Sequence, residues 1–182
     1  NVRQFRTEES EMAYLTGEQI DKLLEECRSS SAKDLEMIVR VCLSTGARWG
    51  EAEKLKRSQI TAGKITFIKT KGKRNRTIPL DSELIAELPK KNGALFSPCY
   101  YAFRSALERA GIELPAGQLT HVLRHTFASH FMMNGGNILV LQKILGHTDI
   151  KMTMRYAHFA PNHLEEALKL NPLKCRKSVA AA

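Results

Sequence analysis

The chain has 182 residues, 43% of them hydrophobic, and this length and composition predict one globular domain with a continuous core. Its 28 Lys and Arg outnumber 19 Asp and Glu, and the net charge of +9 favours a polyanionic partner, either nucleic acid or an anionic membrane surface. No apolar run approaches the roughly 20 residues of a bilayer span, which argues against a membrane helix and predicts a soluble intracellular protein.

The first part of the chain has the pattern of two amphipathic helices. Thr16, followed three residues later by glutamine, is typical of a capping box, and apolar residues then recur at helical spacing, which predicts a helix over about residues 17–28. A second apolar face runs from Leu35 to Leu43 and stops near Gly46, a residue suited to ending a helix. We therefore expect two helices before the chain reaches Arg48.

The middle of the chain predicts a β-hairpin. β-branched and aromatic residues between Ile60 and Leu80 flank a polar, basic stretch, which indicates two strands and a basic tip. Asp81 suits the start of a further helix and Gly111 the end of another. From Thr120 onward the pattern is helical, interrupted by Gly and Pro. The predicted fold class is mainly α with a small antiparallel β-sheet.

Several residues could act together on an anion. Arg124 follows His121 by three positions on a predicted helix, so both side chains project from one face and can hold one anionic group. Tyr156 lies nine positions after His147, and Arg48 lies far upstream. Taken singly, each is more often an ordinary packed or solvent-exposed residue. Only their order along the chain favours a common site.

Three stretches, in order, carry a family resemblance. They are TGARWGEAEKL from Thr45 to Leu55, KGKRNRTIPL from Lys71 to Leu80, and HVLRHTFASHFMMNGGNILVLQKILGHTDIKMTMRYAH from His121 to His158. The first and third resemble the two conserved boxes of the tyrosine recombinases, and the second resembles the lysine-bearing hairpin between them. The integrases of temperate bacterial phages are the most similar members. The resemblance implies the catalytic-domain fold of that family.

The resemblance also implies a catalytic set. Tyr156 is expected to attack the scissile phosphate and form a 3′-phosphotyrosyl bond, and Lys71 to protonate the departing 5′ oxygen. Guanidinium groups hold phosphate oxygens with paired hydrogen bonds, and histidines add further donors. The remaining implied catalytic residues are Arg48, His121, Arg124 and His147. Because the phosphotyrosyl bond conserves the energy of the broken bond, no cofactor, metal or ATP is expected.

Neighbouring charged residues are expected to have smaller roles. Glu51 is predicted to orient an arginine or brace the site. On the hairpin, Lys71 is preferred as the general acid by alignment with the family, with Lys69 and Lys73 as alternatives. The other basic residues there are expected to contact the DNA backbone, and the alternative for the whole basic stretch, Lys71 included, is a solvated charged turn. The predicted DNA contacts are Lys69, Lys73, Arg74 and Arg76.

The remaining histidines and cysteines do not indicate a metal site. His125, His130 and His158 are expected to pack or cap helices. His121 and His125 have the spacing of a metalloprotease helix, but arginine stands where that motif needs glutamate. The cysteines are scattered without a Cys-x-x-Cys pair, which favours neither a disulfide framework nor a zinc site. They are Cys27, Cys42, Cys99 and Cys175.

The expected organisation is a single catalytic domain over residues 1–182, with a core at about 16–170 and a C-terminal tail at 171–182. We expect the amino-terminal DNA-binding part of a longer protein to be absent. The implied partners are double-stranded DNA, further copies in a tetramer, and host and phage DNA-bending factors, in the bacterial cytoplasm and without a membrane. The alternatives are a type IB topoisomerase, a catalytically silent DNA-binding regulator, and, less well supported, a metal-dependent nuclease.

Overall fold

The computed structural model describes residues 12–68 and 75–174. Strands β1 (Ile60–Thr61), β2 (Lys64–Phe67) and β3 (Arg76–Pro79) form one antiparallel sheet in that order. Short 3₁₀ turns lie at Arg57–Gln59 and Ala157–Phe159. The α-helices are α1 (Gly17–Arg28), α2 (Leu35–Thr45), α3 (Trp49–Glu53), α4 (Ser82–Glu87), α5 (Tyr100–Arg109), α6 (Val122–Met133), α7 (Ile138–Leu145), α8 (Lys151–Met154) and α9 (Glu166–Leu170). The predicted fold class is confirmed.

The first two helices have the predicted ends. The Thr16 hydroxyl accepts from the Gln19 backbone N–H at 3.2 Å, and the Gln19 side chain accepts from the Thr16 N–H at 2.9 Å, so the capping box is confirmed. Helix α2 stops at Gly46, whose φ of 64° is left-handed. A Cβ at Gly46 would lie 2.6 Å from the Phe127 ring, so glycine also permits α6 to pack closely.

The sheet carries one buried face. Ile65 pairs with Ile78 and Phe67 with Arg76, and all four side chains are buried. This confirms the two principal strands of the predicted hairpin. Residues 69–74, between β2 and β3, lie outside the described residues, so the roles expected of the basic residues there stay predictions. Those residues are Lys69, Lys71, Lys73 and Arg74.

Helix α6 connects two hydrophobic clusters. Val122 and Leu123 near its start belong to the larger cluster, which α1, α2, α5 and the sheet share. Ala128 and Met132 near its end belong to a smaller cluster that includes Tyr156. Since α6 packs between these clusters, residues in its middle face the junction between them.

Helix α3 is anchored by its first residue. Trp49 is buried and stacks on Phe103 of α5, with ring centroids 4.5 Å apart. Its indole N–H donates to Glu53 at 3.1 Å. Trp49 is thus a buried anchor that fixes the position of the preceding Arg48.

The segment after residue 160 packs little against the rest of the chain. It was expected to form a terminal helix, and α9 does form, but no residue of α9 is buried. The exposed leucines are Leu164, Leu168, Leu170 and Leu173. In the described part of the chain, no helix has both the length and the apolar character needed to cross a membrane.

Candidate active site

A cleft beside the middle of α6 gathers most of the predicted catalytic residues. Four elements contribute: the start of α3, helix α6, the turn after α7, and α8 with the residues that follow it. The lining residues are Arg48, His121, Arg124, His125, His147, Lys151, Met152, Arg155 and Tyr156. The sequence-predicted set therefore converges, apart from Lys71, which lies outside the described residues.

Arg48 stands at the N-cap of α3 with a partly free guanidinium group. Its backbone N–H donates to a Glu51 carboxylate oxygen at 2.9 Å, which closes the first turn of the helix. Its guanidinium lies 3.4 Å from the same carboxylate, and the side chain remains 40% exposed. Arg48 can therefore turn its charge toward a ligand in the cleft.

Glu51 is fixed by a second arginine from the sheet. Arg76 donates to both carboxylate oxygens, at 2.9 and 2.5 Å. Burial disfavours the charge on Glu51, but hydrogen bonds and charge from Arg76, with help from Arg48, lower its pKa to about 2. Glu51 is thus an anion that holds two arginines.

The position of Arg76 corrects one expectation. Its side chain is 5% exposed, and its guanidinium carbon lies 4.7 Å from the centre of the Phe67 ring. With its fork occupied by Glu51, the guanidinium does not present itself to the DNA backbone as the sequence predicted. The alternation of β3 places Arg76 on the buried face, and a partner across the fold neutralises it there.

Arg124 is held between the ends of two helices. Its guanidinium donates to the carbonyl of Gly46 at 2.8 Å and to that of Leu145 at 2.6 Å. Both carbonyls lie at helix C-terminal ends, where the backbone dipole is negative and favours a cation. Burial, followed by the charges of Arg48 and Arg76, lowers the Arg124 pKa to about 10, so it stays charged at neutral pH.

His147 is oriented by two partners. Its Nε2 lies 3.1 Å from a guanidinium nitrogen of Arg124, and its Nδ1 lies 2.9 Å from the Thr153 hydroxyl. Because arginine only donates, Nε2 must accept, and we assign the proton to Nδ1, which donates to Thr153. Thr153 is fully buried. His147 therefore aligns Arg124 in this structure, and Thr153 aligns His147.

His121 lies at the mouth of the cleft. It occupies the N-cap position of α6 and is exposed. Partial burial, then the charges of Arg48 and Arg124, lower the pKa of His121 below its ordinary value. It is therefore mostly neutral at neutral pH and can donate one hydrogen bond to an anion that enters.

Tyr156 points into the cleft from the turn after α8. The residue is 2% exposed and packs in the smaller hydrophobic cluster. Its hydroxyl lies 2.7 Å from Nδ1 of His125. Burial raises the pKa of Tyr156, although the charges of Arg124 and Arg155 oppose that shift. The phenol is therefore neutral and needs help to become a nucleophile.

His125 and Thr153 are the functional residues that sequence reasoning missed. His125 was interpreted as a packing or capping residue, yet it contacts the hydroxyl of Tyr156. One signal was available, because His125 follows His121 by one helical turn and so shares its face. For Thr153 the sequence offers no comparable signal. His130 does have a structural role, with its Nε2 2.7 Å from the Leu15 carbonyl oxygen.

The described residues contain no cluster of three or more His, Cys, Asp or Glu side chains that could hold a metal ion. The cleft instead gathers Arg48 and Arg124 beside a tyrosine hydroxyl and three imidazoles. This combination suits a phosphodiester, since the cations meet its charge and the phenol can attack its phosphorus. The fold and the site thus define a class of protein in which a small-sheet, mainly helical domain brings two arginines and a tyrosine hydroxyl to one cleft.

Comparison with known proteins identifies the family. The phage integrase family model matches residues 13–92 and 97–163, and the chain belongs to that family of tyrosine recombinases. It is 70% identical over 174 residues to the integrase of Escherichia phage 186, a match that covers 95% of this chain and 52% of that protein. The chain therefore spans about half the length of this relative.

Solved structures agree. The catalytic domain of bacteriophage HP1 integrase matches with a TM-score of 0.87 and 64% identity, covering 90% of this chain and 97% of that one. The XerH site-specific recombinase bound to a palindromic difH substrate, in a post-cleavage complex, matches with a TM-score of 0.67 and 26% identity, covering 87% and 53%. The predicted tyrosine recombinase catalytic-domain fold is confirmed.

Proposed function

We propose that this chain is the catalytic domain of a site-specific recombinase that cuts and rejoins DNA strands, integrating and excising phage DNA. The observation that carries the proposal is the convergence of Arg48, His121, Arg124, His147 and Tyr156 on one cleft. These residues come from four elements, so their meeting reflects the tertiary fold.

The anion-binding half of the cleft supplies transition-state charge. Attack on a phosphodiester places further negative charge on its non-bridging oxygens. Arg124 is already fixed by two carbonyls, and the partly exposed Arg48 can close over the phosphate. Charges that are oriented before the reaction need no reorganisation during it, and so they lower the barrier effectively. His121 adds a donor at the mouth of the cleft.

The nucleophile is Tyr156. Its oxygen attacks phosphorus to form a 3′-phosphotyrosyl link, and the 5′ oxygen leaves with a proton. The family resemblance assigns the donation of this proton to Lys71. A 5′ hydroxyl from the partner duplex then attacks the link and releases the tyrosine. Because one phosphodiester replaces another, neither ATP nor a metal is needed in this scheme.

The proposed partners are double-stranded DNA and further copies of the protein. A net charge of +9 supports binding to DNA, and the XerH relative is bound to a DNA substrate. The leucines that α9 and its flanks expose support docking of the C-terminal segment on a neighbouring protomer within a tetramer. We further propose host and phage DNA-bending factors as accessories, and the bacterial cytoplasm as location.

The test is covalent capture on DNA. The substrate is a duplex that contains the attachment site and a nick beside the crossover. After cleavage, the short fragment that carries the free 5′ hydroxyl dissociates. The protein–DNA adduct is then trapped and can be detected on a denaturing gel. We expect wild-type protein to form the adduct and Tyr156→Phe to form none. An adduct with Tyr156→Phe would refute the nucleophile. Rejoining only to the original strand, never to a partner duplex, would point to a topoisomerase instead.

A further inference from the structure

We propose that His125 accepts the proton of the Tyr156 hydroxyl during strand cleavage. This assignment rests on the proposed function, because it supplies the base for the nucleophile of that reaction. His125 lies outside the catalytic set that the family resemblance implied, and the contact was found only in the tertiary structure.

The geometry places His125 on the reacting atom. Its Nδ1 lies 2.7 Å from the Tyr156 hydroxyl oxygen, within the reach required of a general base. The two residues come from α6 and from the turn after α8, 31 positions apart in the chain. The rings of His121 and His125 lie 6.1 Å apart on one side of α6. His125 therefore sits between the mouth of the cleft and the nucleophile.

The direction of this hydrogen bond follows from burial. Tyr156 is 2% exposed, and leaving a buried hydroxyl proton without an acceptor is unfavourable. Within residues 12–68 and 75–174, the hydroxyl makes its one hydrogen bond with His125. The phenol therefore donates, Nδ1 accepts, and the imidazole proton lies on Nε2. The proton already points at the atom that will receive it.

The surroundings of the pair keep the proton on the tyrosine in the free protein. Burial, followed by the charges of His121, Arg155 and Arg124, lowers the His125 pKa to about 4. Burial raises the pKa of Tyr156. A weak base and a weak acid then share a hydrogen bond without transfer, so the nucleophile is held in place but unreactive.

A bound phosphodiester changes this balance. Its negative charge would lie among the cations that disfavour a charged His125, and Arg48, His147 and Lys151 line the same cleft. An anion within a few ångströms of an imidazole favours its protonated form. His125 becomes a stronger base when the scissile phosphate arrives. Proton transfer is thereby coupled to DNA binding.

Cleavage moves one proton to His125 and one proton to the leaving oxygen. The Tyr156 O–H bond breaks, its proton goes to Nδ1 of His125, and the oxygen forms a bond to phosphorus. The bond between phosphorus and the 5′ oxygen breaks, and that oxygen takes a proton from the general acid. In the return step, the tyrosine oxygen leaves phosphorus and recovers its proton from His125, while the attacking 5′ hydroxyl returns one to the general acid.

The test uses two variants and one modified DNA. His125→Asn places an amide oxygen near the position of Nδ1, which keeps a hydrogen-bond acceptor but cannot take up a proton at neutral pH. His125→Ala removes both functions. The nicked substrate carries sulfur in place of the 5′ bridging oxygen. Because a thiolate leaves without a proton, the cleavage rate of this substrate does not depend on the general acid. The rate of adduct formation in a single turnover is measured from about pH 6 to pH 10.

We expect His125→Asn to cleave roughly 100-fold more slowly than wild type near pH 7. The deficit should shrink as the pH rises, because a growing fraction of the phenol then ionises without a base. His163→Asn is the matched control, since His163 is exposed and lies outside the cleft. It should cleave at the wild-type rate.

Two results would overturn the assignment. One is an Asn variant within threefold of wild type near pH 7 while the Ala variant is slow, since His125 would then only position the phenol. The other is a deficit that stays constant with pH. If neither variant folds, the wild-type profile decides: a base predicts a plateau across neutral pH, and its absence predicts a steady tenfold rise per pH unit.

The same gels separate this inference from the proposed function. If wild-type protein forms no adduct, or Tyr156→Phe forms one, the proposed function fails. If wild type forms the adduct, Tyr156→Phe does not, and His125→Asn matches wild type, only the role of His125 fails.

Discussion

The polar contacts that hold the side chains in place differ between the two sides of the cleft. On the arginine side, Arg124 is buried and donates to carbonyls at the ends of α2 and α7, and Glu51 binds both Arg48 and Arg76. On the tyrosine side, Tyr156 follows a helix of four residues, and its hydroxyl is held by His125. The arginine charges are thus held by several contacts, whereas among the described residues the Tyr156 hydroxyl has a single hydrogen-bond partner, His125.

The largest expected effect lies on the arginine side. Arg124→Ala should slow cleavage on the order of 1000-fold, because it removes a fixed donor to the phosphate oxygens. The measurement is the single-turnover rate of adduct formation, with DNA binding followed separately by anisotropy. Arg124→Lys keeps the charge without the fork and should fall between the Ala variant and wild type. If Arg124→Ala slowed cleavage less than tenfold, the arginine side of the cleft would not be the main source of transition-state stabilisation.

The next expected effect is on stability. Glu51→Gln leaves Arg76 buried without its anion and should lower the free energy of unfolding by about 3 kcal/mol. Chemical denaturation measures it. The double variant Glu51→Leu with Arg76→Met removes both charges and should recover most of the loss. If the double variant did not recover this stability, loss of the ion pair would not explain the effect of Glu51→Gln.

The same pair predicts a pH dependence. Glu51 has a pKa of about 2 in the folded chain, against about 4.3 for an unfolded glutamate. Because the pKa is lower in the folded chain, the ionised Glu51 carboxylate stabilises the fold. This contribution is present above about pH 4.3 and is lost as the pH falls toward 2. Wild type should therefore lose stability more steeply across this window than Glu51→Gln. Parallel acid-unfolding curves for the two proteins would contradict the assignment.

A smaller effect is expected from the support of His147. Thr153→Val is nearly isosteric but removes the acceptor for the imidazole Nδ1 proton, so His147 can adopt the other tautomer and turn away from Arg124. A lost hydrogen bond of roughly 1 kcal/mol predicts a five- to tenfold slower cleavage. Thr153→Ser keeps the hydroxyl and should retain the wild-type rate. Equal rates for Val and Ser would show that Thr153 only packs.

The smallest effect on the isolated chain is expected in the C-terminal segment. Leu164→Ser and Leu168→Ser alter side chains that are 78% and 71% exposed, so unfolding should change by less than about 0.5 kcal/mol. Assembly on paired DNA sites, measured by gel mobility, should weaken if these leucines dock on a neighbour. A large loss of stability would instead mean that the segment packs on its own domain.

Much of the fold followed from local chemistry. The Thr16 capping box and the stop at Gly46 set the bounds of α1 and α2, because caps satisfy backbone groups within a few residues. Arg48, His121, Arg124, His147 and Tyr156 of the cleft were predicted from their order along the chain and from the family resemblance. Their roles in cleavage remain predictions, including that of Lys71.

The remainder depended on contacts between distant residues. Arg76 belongs to a basic stretch and was therefore predicted to contact DNA. The register of the sheet instead turns its side chain inward onto Glu51, 25 positions away in the chain. His125 has the pattern of a packing residue, but α8 brings Tyr156 to its Nδ1. The sequence by itself determined which side chains can carry charge and where along the chain the tyrosine and the histidines lie. The tertiary structure decided which charges are neutralised and which atom faces the phenol, because pairing energies depend on distance and burial that local sequence does not encode.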